Sequence, residues 1–214
     1  MAVTLALAAP VAAKADETVI AALGDSLTHG FGLAPADAFP VQLEAWLRDR
    51  GHDVRVINAG VSGDTTAGGR ARLDWTLTPE VDAVIVELGG NDLLRGIDPA
   101  ESRRNLDAIL ARLSAEGLPA LLAGLPAPGN YGQDWADAFN AMYPELAEQY
   151  GAILYPNFLE AIAPDFSIAD RGQRADAMKL MQSDGIHPNA EGVARVVAAI
   201  GPLVEELIAR VEAD

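Results

Sequence analysis

Ser26, Asp184 and His187 are residues of the types that together carry out nucleophilic acyl chemistry. Ser26 lies in Gly24-Asp25-Ser26-Leu27-Thr28, and the other two in Asp184-Gly185-Ile186-His187-Pro188. A serine hydroxyl is a weak nucleophile until a base takes its proton, and neutral imidazole is the side chain suited to that task near pH 7. An acid three residues ahead of a histidine can fold back within one turn and accept the Nδ1 proton. Nε2 is then left to face a serine from another loop. Each segment also has a plainer reading. Asp25 and Ser26 are ordinary helix N-caps, and His187 or Asn189 could simply cap a helix opened by Pro188.

Two other segments offer donors for a developing oxyanion. Asn58-Ala59-Gly60-Val61-Ser62-Gly63-Asp64-Thr65 is rich in residues that expose backbone N–H groups, and Glu87-Leu88-Gly89-Gly90-Asn91-Asp92 adds a neutral side-chain amide. Glycine lets a backbone N–H approach a ligand unobstructed, and an Asn amide can aim a donor without adding charge. Tight turns require the same residues, so neither loop is decisive alone.

The elements that must position these loops follow from the hydropathy pattern. Val19 to Leu23, Val54 to Ala59, Ala83 to Leu88, Ala120 to Gly124 and Ala152 to Tyr155 read as strands buried on both faces. Between them lie helical patterns. Phe39, Leu43, Trp46 and Leu47 share one face ahead of Gly51, and Asp98-Pro99-Ala100-Glu101 is a helix start leading to Leu106, Ile109, Leu110 and Leu113. A stripe from Val193 to Ile208 predicts a long last helix, kinked at Gly201-Pro202. Alternating strands and helices imply an α/β fold with a parallel sheet covered on both faces, in which ligands bind beyond the carboxyl ends of the strands. All four chemistry-bearing segments fall at such ends or ahead of the last helix.

Composition bounds the function. The 214 residues are half hydrophobic and suit one domain. Fifteen Lys plus Arg against thirty-one Asp plus Glu give a net charge of −16, which opposes nucleic acid and anionic membranes. The absence of Cys removes disulfides and thiolate chemistry, and three His make a histidine-rich metal site a poor expectation. The Ala-rich run before Ala13-Lys14-Ala15 has the small-x-small form of an export cleavage site, although it lacks a basic start. It is too short to span a bilayer. Residues 1–15 are therefore expected to be the remnant of an export signal, with periplasmic or secreted placement, and 16–214 the working domain. A cytoplasmic chain with an Ala-rich terminus is the alternative.

In order and spacing, GDSLT at Gly24 to Thr28, SGD around Gly63, GGND at Gly89 to Asp92 and DGIHP at Asp184 to Pro188 resemble the signature blocks of the SGNH (GDSL-like) hydrolases. Val86 to Gly96 and Asn130-Tyr131-Gly132 look most similar to the arylesterase and acyl-CoA thioesterase I/lysophospholipase branch. The resemblance implies a three-layer α/β/α, flavodoxin-like sandwich around a five-stranded parallel sheet. It implies Ser26 as nucleophile, His187 as general base and acid, and Asp184 as its orienter. The oxyanion hole would be formed by Ser26 N–H, Gly63 N–H and the Asn91 side chain, and no cofactor or metal is needed. Asp25, Asp64 and Asp92 would tie loops together.

Rival motifs fit less well. Gly30-Phe31-Gly32-Leu33-Ala34-Pro35 lacks the last glycine of a dinucleotide fingerprint, there is no Walker Gly-Lys-Ser/Thr, and Ser26 lacks the G-x-S-x-G elbow. His29 is expected on a helix flank and His52 in a surface loop. The substrate expected from the resemblance is a small aryl or alkyl ester of a small to medium acyl group, with thioesters and lysophospholipids as extensions. Carbohydrate O-acetyl groups, or a binding module without turnover, are the alternatives. Leu125, Pro126, Asn130 and Tyr131, after the fourth strand, are the expected substrate contacts, and Pro164 to Gln182 either lines the acyl site or covers the core.

Overall fold

The computed structural model describes residues 17–163 and 171–213, apart from the side chains of 171–174. The Ala13-Lys14-Ala15 cleavage motif and the first part of the Pro164 to Gln182 segment lie outside the described residues.

Five strands form one parallel sheet: β1 (Thr18–Gly24), β2 (Val54–Gly60), β3 (Ala83–Glu87), β4 (Ala120–Ala123) and β5 (Ile153–Tyr155), in the order β2-β1-β3-β4-β5. Parallel neighbours need crossovers, and the crossovers place helices on both faces. One face of the sheet, with Ile20, Ala22 and Ile85, packs on α2 (Phe39–Asp49) and α9 (Ala190–Val211). The alternate residues Ala21, Leu23, Val84 and Val86 face α6 (Pro99–Ala115) and α7 (Gln133–Tyr150). This is the three-layer α/β/α sandwich, and the two-residue strand period decides which layer each side chain joins.

The strand expectations hold to within about one residue, with one correction. β2 is not buried on both faces: Arg55, Ile57 and Asn58 are partly or fully exposed. Its place at the sheet edge accounts for this, and Arg55 pairs there with Glu17 and Glu80. The Asp98 carboxylate caps α6 by accepting from Ala100 N–H at 2.9 Å. α9 runs through Gly201-Pro202 as one 22-residue helix. Gly201 permits its close approach to α2, since a Cβ there would stand 2.5 Å from Trp46 Cζ3.

The order of connection matters for function. The chain leaves β1 toward β2 on one side and returns to β3 on the other, so the crevice beyond the ends of β1 and β3 is the topological switch point. Register makes the ends level: Gly24 pairs with Gly60 on one side and with Glu87 on the other.

Candidate active site

Three loops leave the sheet at that level, and α9 is preceded by a fourth. After β1, the Asp25 carboxylate accepts from Leu27 N–H at 3.0 Å and starts α1 (Ser26–His29), which sets Ser26 at the head of the helix. Before α9, Asp184 Oδ1 accepts from Ile186 N–H at 2.9 Å and His187 N–H at 3.1 Å, curling the acid back over its own turn. Gly185, at φ +68°, supplies the left-handed residue that this turn requires. Asp184 Oδ2 then lies 2.7 Å from His187 Nδ1, and His187 Nε2 lies 2.9 Å from Ser26 Oγ. With the ring proton on Nδ1, His187 donates to Asp184 and accepts from the Ser26 hydroxyl. The hydrogen bond from His187, together with the two backbone N–H groups, holds the Asp184 carboxyl down at about 2.

The other two loops converge on the same place. In the loop after β2, Gly63 adopts φ +83° and its carbonyl accepts from Arg95 at 2.8 Å, while its N–H has no acceptor among the described residues. Ser26 N–H, at the head of its helix, likewise has no intrahelical partner. After β3, α5 (Gly90–Arg95) carries Asn91, whose amide donates to Asp25 Oδ2 at 3.0 Å. One N–H of that amide is thus committed and the other is available.

Ser26, Gly63, Asn91 and His187 all line one cavity of about 290 Å³. Most of its remaining wall is apolar, formed by Leu27, Phe31, Leu93, Leu94, Leu125, Leu159 and Ile186. Of the expected substrate contacts, Leu125 is in the wall. Pro126, Asn130 and Tyr131 are not in it; the Tyr131 hydroxyl donates to Leu94 O at 3.3 Å, behind a wall residue. The Phe31 ring lies 4.8 Å from the His187 ring.

Beneath Ser26 lies a buried acid. Glu87, closing β3, accepts from the Thr28 hydroxyl at 2.8 Å through Oε2, and its Oε1 is buried without a hydrogen bond. Burial, and then the Asp25 carboxylate, pushes Glu87 well above the ordinary range; burial likewise pushes Asp25 up to about 6. Asp64 and Asp92 tie loops together. Arg72 donates to Asp64 at 2.6 Å and also to Ala59 O and Gly24 O, joining the ends of β1 and β2. Asp92 accepts from Thr66 and Ser102. His29 faces Ser62 at 2.8 Å and His52 faces Glu205 at 3.1 Å, so neither reaches Ser26.

The sequence model of the GDSL-like Lipase/Acylhydrolase family matches residues 22–195. The chain belongs to that family. This GDSL-family chain is 38% identical over 187 residues to the esterase TesA of Pseudomonas aeruginosa, covering 87% of both chains. It is also 38% identical to thioesterase 1/protease 1/lysophospholipase L1 of Escherichia coli K12, over 84% of this chain and 79% of that one. Among solved structures it resembles AlinE4, described as an SGNH-hydrolase family esterase. The TM-score is 0.71 at 45% identity, covering 91% of this chain and 98% of that one.

Proposed function

We propose that this chain is a serine esterase that hydrolyses carboxylic esters of small to medium acyl groups through an acyl-enzyme on Ser26. The observation that carries this reading is the hydrogen-bonded line from Asp184 through His187 to Ser26, opening into an apolar cavity. The names of the relatives, esterase and thioesterase/lysophospholipase, support the same chemistry and extend it to acyl thioesters and lysophospholipids.

Ser26 Oγ attacks the ester carbonyl carbon while its proton passes to His187 Nε2. The imidazolium is stabilised by Asp184. Negative charge gathers on the former carbonyl oxygen, for which Ser26 N–H, Gly63 N–H and the free Asn91 N–H are the assigned donors. Each such donor lowers the barrier by about 3–4 kcal/mol. The tetrahedral intermediate collapses by breaking the bond to the alcohol or thiol, which leaves with the proton from His187. Water then gives a proton to His187 and attacks the acyl carbon; this second intermediate breaks its bond to Ser26 Oγ, which takes the proton from His187 as the acid is released. Neither half-reaction needs a cofactor.

The lining favours an acyl chain over a sugar ring, because seven of its side chains are apolar and cannot hydrogen-bond hydroxyl groups. A binding module without turnover would have no use for a base at hydrogen-bond distance from the serine. Residues 16–214 act in this reading as one hydrolase domain. Export to the periplasm or beyond is supported by Ala13-Lys14-Ala15. No helix among the described residues is long and apolar enough to cross a membrane.

Labelling with a fluorophosphonate probe tests the chemistry: the wild-type protein labels and Ser26→Ala does not. Equal labelling of both, or none of the wild type, overturns the reading. A rate profile over aryl esters, acyl-CoA thioesters and lysophospholipids of graded chain length then fixes the substrate class.

A further inference from the structure

Ser26 and His187 are 161 residues apart and come from different loops, so something other than the reacting pair must fix their separation. The loop bearing His187 is closed on itself. An antiparallel bridge joins Met181 to Pro188, Gln182 N–H donates to His187 O at 2.8 Å, and Asn189 N–H donates to Leu180 O at 2.9 Å. These bonds make the base loop a unit, but none of them reaches the nucleophile arm.

The side chain of Gln182 does. Its Nε2 donates to Phe31 O at 2.7 Å and to Pro188 O at 2.9 Å, so both amide protons are spent on carbonyls, one in each loop. Phe31 immediately follows α1, and its N–H donates back to Ser26 O at 3.1 Å. Among the described residues, the bond from Gln182 to Phe31 is the only hydrogen bond joining residues 25–34 to residues 180–189 besides that of Ser26 with His187. The neighbouring residue is fitted to it. Gly32 adopts φ +75°, and a Cβ there would collide with Gln182 Oε1. The Phe31 ring against His187 completes the junction.

We propose that Gln182 is a positioning residue that fixes the distance between Ser26 and His187 by tying the two loops through its amide. This rests on the reading of Ser26 as nucleophile and His187 as base. Gln182 does not line the cavity, so its own side chain is not among the groups placed to touch a substrate. Its removal should slow proton transfer and leave ground-state binding alone. Displacement of a catalytic group by about 1 Å costs on the order of 100-fold in rate.

Gln182→Met keeps the length of the side chain without its donors. Gln182→Glu keeps the shape but turns a carboxylate toward two carbonyl oxygens. The expected order of kcat is wild type, then Met, then Glu, with Met lowered about 10- to 100-fold, KM within about twofold, and fluorophosphonate labelling slowed in parallel. Circular dichroism and thermal melting establish that each variant is folded; should the Glu variant not fold, the Met variant decides. Met at wild-type kcat, or a loss confined to KM, or one that matches the unfolded fraction, overturns the role. If the wild type itself fails to label, the serine chemistry fails. If it labels and the Met variant labels equally fast, only the role of Gln182 fails.

Discussion

The Asn91 amide donates to the Asp25 carboxylate at 3.0 Å, so the residue beside the proposed nucleophile holds one of the proposed oxyanion donors in place. Asn91→Ala should lower kcat by about 100- to 1000-fold with little change in KM, as expected for a donor used chiefly in the transition state. Asn91→Asp should be worse, because it sets a second carboxylate against Asp25 and the developing oxyanion. Steady-state kinetics on an aryl ester check both. An Asn91→Ala enzyme whose loss lies in KM would remove the assignment.

The buried carboxyls of Asp25 and Glu87 make a prediction about stability. Both native values lie above the ordinary carboxylate range: burial lifts Asp25 to about 6, and burial with the Asp25 charge lifts Glu87 well above its usual value. The native state therefore binds more protons than the unfolded chain once the pH exceeds about 4, the unfolded carboxylate value. That stabilisation is complete below the unfolded value and is lost as pH rises through about 6 and beyond. Glu87→Gln removes one titrating group and the charge that opposes ionisation of Asp25. Urea unfolding at pH 5 and pH 8 should show the variant gaining on the wild type at the higher pH; parallel curves would contradict the assignment.

Gly201 tests the packing of the last helix. Gly201→Ala places a methyl group against the Trp46 ring and should destabilise by about 1–3 kcal/mol through overpacking. Adding Trp46→Leu should recover part of the loss, a coupling that a thermal double-mutant cycle measures. Neither residue lines the cavity at Ser26, so kcat per folded molecule should not change.

Leu159 tests the cavity as the acyl site. It is buried in the wall, and Leu159→Trp should fill space that a longer chain would occupy. The expected outcome is a shift toward acetyl and propionyl esters, with kcat/KM for octanoyl esters falling at least tenfold relative to acetyl esters. An unchanged chain-length profile would place the acyl group elsewhere.

Much of this was legible in the residues. Val19 to Leu23 and Ala83 to Val86 are apolar because both faces of a central strand are covered, and Asp98-Pro99 marks the start of α6 by local chemistry alone. Asp184 and His187 are close in sequence, so one turn brings them together. The open face of β2 was hidden, since edge position depends on strand order and not on the strand. Phe31, Leu94, Leu159 and Ile186 were hidden for the same reason: an apolar residue in a cavity wall has no local mark to separate it from one in the core. Leu93 and Leu94 directly after Asn91-Asp92, and Ile186 directly before His187, were the nearest signals available. Glu87 was visible as an acid ending an apolar run, but only the register with Gly24 puts it under Ser26. Gln182 gave no signal, because its partner Phe31 is 151 residues away.

That long span has a consequence for biogenesis. On the ribosome Ser26 emerges 161 residues before His187, so a chain interrupted between them holds the hydroxyl without the proposed base. β1 and β3 precede α9 in the chain, and the proposed base lies just ahead of the helix that covers one face of the sheet. The proposed chemistry thus arrives together with the helix layer on one sheet face, and a product truncated before His187 should leave esters intact.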